Sequence, residues 1–302
     1  LATNATWNDF WLNEGMTTYA ERRIVEEVYG PRMAVQQVAL GIDAQDKAVA
    51  ENGGPTGADT RLHLDLKGRH PDTGLSDIAY EKGAAFLRMI EANVGRERFN
   101  AWLKGWFDRH RFQPVTSAMF LADLRANLVK GDQPLEAKLM LDQWVYQPGI
   151  PANAVKADPQ AFAAVDAASA AFANGGAPDV TAWNGYNTNE RLRFLDRLPR
   201  KLDKARLDAL ASAFALGSTT NNEVLFAWLD LATRNRYDPA VPALHAFLTS
   251  VGRGKFVRPL YATLYADTAW GRPIAERIYA EARPSYHPLV TRDVDKVMAG
   301  KS

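Results

Sequence analysis

The chain has 302 residues, about two domains at roughly 150 residues each, and its 47% hydrophobic and 24% charged composition suits a globular protein with a sizeable core. Lys and Arg number 36 against 35 Asp and Glu, a formal charge of +1, so no global field draws it to nucleic acid or an anionic membrane. The absence of cysteine excludes disulfides, thiolate metal sites and a Cys nucleophile, but does not fix the compartment, since cytosolic and periplasmic proteins can both do without it.

Helical periodicity dominates. Residues 12–29 read as a helix, with apolar Met16, Tyr19 and Val28 set among Glu21, Arg22, Arg23, Glu26 and Glu27. Gly30-Pro31 stops it, because proline cannot continue a helix without losing a hydrogen bond. Residues 53–77 are rich in Gly, Pro and Thr and read as a long irregular segment, the kind that is functional when it occurs inside a domain. Helix resumes at Phe86, Met89, Ile90 and Val94. Phe99, Trp102, Leu103, Trp106 and Phe107 then follow the i, i+3, i+4, i+7, i+8 spacing of one buried helix face. Ser117 is expected to cap a helix carrying Phe120, Leu124 and Leu128. Gln147-Pro-Gly-Ile-Pro151 is the best linker candidate.

Beyond it come short amphipathic helices at residues 222–234, 256–265 and 273–282, and one after Asp238-Pro239 that carries Val241, Leu244 and Leu248. Their length and short breaks predict stacked helical hairpins. No run of about 18 uncharged apolar residues occurs, which excludes a membrane-spanning helix; the nearest candidate, residues 161–178, is broken by Asp166. The chain opens at Leu1 without Met or a basic-then-apolar leader, and is read as a mature product or a piece of something longer.

The chemistry starts at Trp7-Asn-Asp-Phe-Trp-Leu-Asn-Glu14-Gly15, where a carboxylate followed by glycine sits at a helix start behind two tryptophans. From residue types alone, two readings stand. One is an aromatic anchor carrying a solvated glutamate, since large aromatics are usually core. The other is a glutamate held rigid by packed rings, giving one oxygen to a zinc ion whose other ligands lie elsewhere.

This segment, continued by Thr17, Tyr19, Glu21 and Arg22, resembles the third-ligand helix of the M1 family of zinc aminopeptidases, most closely its leukotriene A4 hydrolase branch. Ile78-Ala-Tyr80-Glu-Lys-Gly83 is similar to the family's catalytic tyrosine motif. Trp144-Val-Tyr-Gln-Pro-Gly-Ile-Pro151 is similar to the end of the branch's catalytic domain, and Gly252-Arg-Gly-Lys255-Phe-Val-Arg-Pro259 to its carboxylate-reading segment. The matches run in family order over essentially the whole chain.

The resemblance implies that Glu14 is the third zinc ligand. The family's His-Glu-x-x-His ligands and general base precede that glutamate by about eighteen residues, and so would fall before Leu1. The five histidines present, His63, His70, His110, His245 and His287, contain no i, i+4 pair to replace them; His70, in the loop near Asp72, keeps a place as a possible cleft residue. The resemblance further implies that Tyr80 stabilises the oxyanion intermediate and that Asp72 lies beside the substrate. Arg253 and Lys255 would hold a substrate carboxylate. Taken without it, Tyr80 is a helix-start aromatic, Asp72 a turn former, and the two cations a solvated basic turn. Glu21, seven residues after Glu14, is either support for the metal site or a surface residue.

The expected fold is mainly α. Residues 1–150 would form the helical lobe of a thermolysin-like catalytic domain, and 151–302 a C-terminal helical-repeat domain. The expected function is that of the C-terminal portion of a zinc-dependent aminopeptidase acting on peptides, completed by a missing N-terminal portion and inactive alone, with neither nucleic acid nor membrane as partner. A non-catalytic helical scaffold, and lipid epoxide hydrolysis as in one specialised member of the branch, stand as alternatives.

Overall fold

The periodic segments become helices in a computed structural model that describes residues 2–71 and 74–300, divided into two compact units, Leu1–Ala161 and Phe162–Ser302. In the first unit, strand β1 (Thr3–Asn4) pairs in parallel with β2 (Pro114–Val115), with Thr3 opposite Pro114. These are the only strands among the described residues. Helix α1 (Trp11–Tyr29) stops at Gly30, whose φ of 87° suits glycine, and α2 (Pro31–Glu51) begins with proline in its first turn.

The irregular segment after α2 contains 3-10 turns at Gly54–Thr56 and Ala58–Thr60. A π-helical turn at Ile78–Lys82 then leads into α3 (Gly83–Val94), followed by α4 (Arg96–Arg109) and α5 (Ser117–Leu124). A second π turn, Arg125–Val129, precedes α6 (Gln133–Leu139) and α7 (Leu141–Tyr146).

The core of this unit is aromatic. Trp11, Phe86, Phe120 and Trp144 are fully buried; Trp11 meets Phe120 edge-on at 5.3 Å, and Phe86 stacks on Trp144 at 5.5 Å. The α4 stripe faces this centre through Phe99, Trp102 and Trp106, while Leu103 and Phe107 are only partly covered. The expected cap of α5 is displaced by one residue. Thr116 is the cap, accepting from the Met119 amide at 3.2 Å, and Ser117 is buried and turned inward.

Gln147–Pro151 is not a free linker, since the Gly149 amide donates to Thr60 Oγ1 at 2.8 Å and the segment stays with the first unit. No helix among the described residues is long and apolar enough to cross a membrane.

The second unit holds nine α-helices among its described residues: α8 (Ala163–Ala173), α9 (Val180–Gly185), α10 (Thr188–Arg197), α11 (Lys204–Phe214), α12 (Asn222–Arg234), α13 (Val241–Ser250), α14 (Gly254–Ala266), α15 (Gly271–Ala282) and α16 (Pro288–Met298). Alternate helices pack together: α8 on α10, α10 on α12, α12 on α14 and α14 on α16 in one layer, with α9 on α11 and α13 on α15 in the other. This is the stacked-hairpin architecture the sequence predicts. Side-chain caps at Asp179, Asn187, Asp203, Asn221 and His287 satisfy exposed amides and set where these helices start.

Candidate functional site

Glu14 lies in the first turn of α1, and the chain leading to it is pinned at several points. Asp9 is 2% exposed; its Oδ1 accepts from the Ser117 amide at 2.9 Å and the Ser117 hydroxyl at 2.7 Å, and faces His63 Nδ1 at 3.0 Å. Burial alone would raise its pKa, but the hydrogen bonds from Ser117, His63 and Thr6 outweigh that and hold it below the ordinary aspartate value. The Trp11 indole donates to the same Ser117 hydroxyl at 2.9 Å. Asn13 Oδ1 accepts from the Asn4 amide at 3.0 Å, which ties β1 to the helix start.

Gly15 and Gly83 explain why the two motifs meet. A Cβ placed on Gly15 would sit 2.7 Å from the Gly83 Cα, and one on Gly83 would sit 2.8 Å from the Gly15 Cα. The two helix backbones therefore touch where only hydrogen fits. This crossing brings Glu14 on α1 close enough to Tyr80 on the π turn for the carboxylate's charge to act on the phenol. Burial first, then the charge of Glu14 and that of Asp77, raises the Tyr80 pKa, so the phenol stays protonated at neutral pH. Phe10 packs edge-on against the Tyr80 ring at 6.0 Å, and half-exposed Trp7 lies 5.7 Å from Phe10.

The residues flanking Tyr80 lock the turn. Glu81 accepts from Arg22 Nη2 at 2.8 and 2.6 Å, in a largely covered ion pair, and Gly41 of α2 leaves the room this pair occupies. Lys82 is fully buried and donates to the Thr60 carbonyl at 2.9 Å and the Gln147 carbonyl at 3.0 Å. Burial, with the Arg61 charge nearby, pushes its pKa down to about 7. Neither the Arg22–Glu81 pair nor the Lys82 anchor was assigned a role from sequence, although all three residues lie inside the quoted motifs. Their function follows from an inter-helix contact that no single segment encodes.

The Lys82 pKa has a measurable consequence. Because the folded value near 7 lies below the unfolded value of about 10.4, the unfolded chain binds more protons between those two pH values, and stability rises with pH across that window. Lys82→Met is expected to remove that rise. Urea midpoints compared at neutral and alkaline pH check it, and an equal rise in both proteins would contradict it.

The other candidates are placed as follows. Asp72 lies outside the described residues. Glu21 is exposed, and it is Arg22, not Glu21, that reaches the π turn. His70 is exposed. His63 faces Asp9, His110 stacks on Trp106 at 3.9 Å, His245 pairs with Glu281 at 2.8 Å, and His287 caps α16. Among the described residues, no group of three or more His, Cys, Asp or Glu could hold a metal ion. Glu14 can offer one oxygen, so these residues do not fit a complete tetrahedral site.

In the second unit, Arg253 occupies the N-cap position of α14 and Lys255 its first turn. Lys255 is ion-paired to Glu223 and lies over the Phe256 ring at 4.7 Å, while the Arg253 guanidinium is 6.0 Å from that ring. An anion approaching Lys255 therefore competes with Glu223.

Residues 1–144 match the family described as peptidase family M1 domain, and residues 186–298 match leukotriene A4 hydrolase, C-terminal. The chain is 30% identical over 311 residues to leucine aminopeptidase 2 of Ajellomyces capsulatus, covering 99% of this chain and 49% of that protein. It is also 30% identical over 316 residues to leucine aminopeptidase 2 of Aspergillus niger, covering all of this chain and 50% of that protein. The solved structure of native yeast LTA4 hydrolase shares the fold with a TM-score of 0.86 at 23% identity, over 99% of this chain and 51% of that one. The chain thus spans about half the length of the curated relatives it matches.

Proposed function

We infer the function from the premise that this chain belongs to the M1 peptidase family, in its leukotriene A4 hydrolase branch: it is the C-terminal portion of a zinc-dependent aminopeptidase that removes N-terminal residues from peptides. The relatives named leucine aminopeptidase make an N-terminal leucine the first substrate to test.

The observation that carries the reading is the pairing of Glu14 with Tyr80 across the Gly15–Gly83 contact. A carboxylate and a neutral phenol lie near enough for the charge of one to act on the other, as a metal-and-oxyanion centre requires. In the parent protein Glu14 would give one ligand oxygen, while two histidine ligands and the general base would come from the part of the protein outside this chain. Zinc, when bound, polarises a carbonyl and lowers the pKa of water.

This chain's own contribution is Tyr80. A phenol that is still protonated at neutral pH donates a hydrogen bond that strengthens as negative charge develops on the carbonyl oxygen of the substrate. Asp72 keeps its active-site role on the family resemblance alone. Arg253 and Lys255 would hold the peptide carboxylate, Lys255 releasing Glu223 to do so.

The 302 residues alone are expected to be inactive, because one carboxylate cannot hold zinc at tetrahedral N/O coordination. Incubation with leucine p-nitroanilide and added zinc checks this alongside the parent expressed from its complete coding region. The parent is expected to turn over in a chelator-sensitive way and the chain to show none. Metal-dependent turnover by the chain alone, or an inert parent, would overturn the reading.

A further inference from the structure

Away from Glu14 and Tyr80, the first unit holds a cleft of about 280 Å³ between α1, α2, α3 and residues 155–158. Its walls include Pro31, Ala34, Val35 and Val38 of α2, with Ala84 of α3. Cations outnumber carboxylates along the lining, and most of them are already matched. Arg96 pairs with Glu91 at 2.6 Å and with Glu26 at 2.9 Å, Arg23 lies 3.7 Å from Glu91, and Arg22 is held by Glu81.

Arg88 is different. Its Nη2 donates to the Val155 carbonyl at 3.0 Å, no ion pair engages it among the described residues, and its Nε is shut off from solvent with no partner. A guanidinium has five N–H donors in a planar fork. Here that fork is partly buried at the wall of an apolar cleft, its Nε closed to solvent and its Nη2 on one neutral acceptor. Burial, and the neighbouring charge of Arg22, depress its pKa to about 10, so it remains a cation at neutral pH.

A cation partly removed from water, with no ion pair of its own and only the nearby charge of Glu81 to offset it, carries a cost that an anion entering the cleft would relieve. The fork selects the anion's shape, since a carboxylate accepts two parallel bonds from it. The apolar walls select the rest of the molecule, and the volume limits it to something small.

We propose that this cleft is a binding site for a small monocarboxylate with an apolar body, its carboxylate seated on Arg88 and its body against α2. The site is separate from Glu14 and Tyr80 and does not rest on the peptidase reading.

The test uses the 302-residue chain with 3-phenylpropionate as probe, followed by its melting temperature and by the NMR signal of the Arg88 Nε–H group. 3-Phenylpropionate is expected to raise the melting temperature saturably and to shift the Arg88 signal. The amide analogue and inorganic phosphate, each lacking one half of the recognised chemistry, are expected to do neither. Arg88→Met is expected to weaken binding by about tenfold or more, and Arg88→Lys to restore it only in part. An unchanged Arg88 signal at saturating probe, an equal response to the amide, or wild-type affinity in Arg88→Met would overturn the proposal. The signal on the unmutated chain decides the matter even if the variant does not fold.

Discussion

Gly83→Val is expected to lower the unfolding free energy by about 3 kcal/mol, the upper end of what overpacking a tight contact costs. The first atom such a side chain meets is the Gly15 Cα at 2.8 Å, and the next are Gly15 N and the Trp11 ring at 3.5 Å. Backbone atoms cannot swing aside, so α1 and α3 must separate, which loosens the fully buried Trp11. Helix propensity works in the opposite direction, since replacing glycine inside a helix gains roughly 1 kcal/mol at most. The steric term is the larger, and the net sign is destabilising.

Gly105→Ala supplies the control. There the added Cβ meets the Arg109 guanidinium, the far end of a flexible side chain, at 2.6 Å, so the change is expected to be neutral or mildly stabilising. Urea unfolding followed by circular dichroism separates the two cases. A Gly83→Val chain as stable as wild type would show that the helix contact does not fix the site.

Tyr80→Phe, in the zinc-loaded parent, is expected to lower kcat by about 10²- to 10³-fold while KM changes little. Phenylalanine keeps the ring that packs edge-on against Phe10, so local structure is retained and only the hydroxyl is lost. A donor used mainly once charge has developed on the carbonyl oxygen appears in kcat, not in ground-state binding. Steady-state rates with leucine p-nitroanilide check it. A kcat within a few-fold of wild type, with the fold intact, would remove Tyr80 from the oxyanion role.

Much of this was legible in the chain itself. The residues 222–234 helix, the Phe99-to-Trp106 stripe and the Gly30-Pro31 stop follow from local periodicity and backbone chemistry, and they stand as read. The Ser117 cap was displaced because threonine and serine are adjacent and both can cap; the tie-breaker was the buried Asp9 a hundred residues earlier, which claims the serine. The π turn at Ile78–Lys82 has no signature in hydrophobic spacing. Lys82 within it reaches the Thr60 and Gln147 carbonyls, and the second of these bonds holds the Gln147–Pro151 segment that composition alone suggested was a linker. Glu14 and Tyr80 were each singled out from their motifs, but their adjacency depends on two glycines that look unremarkable one at a time.

That adjacency can be read in solution by titrating the Tyr80 phenol, with the ring carbon bearing the hydroxyl as the NMR reporter, in wild type and in Glu14→Gln. The phenol is expected to titrate above its ordinary value of about 10 and to fall back towards it when the carboxylate's charge is removed. Identical titration curves in the two proteins would mean that the carboxylate and the phenol do not face a common centre.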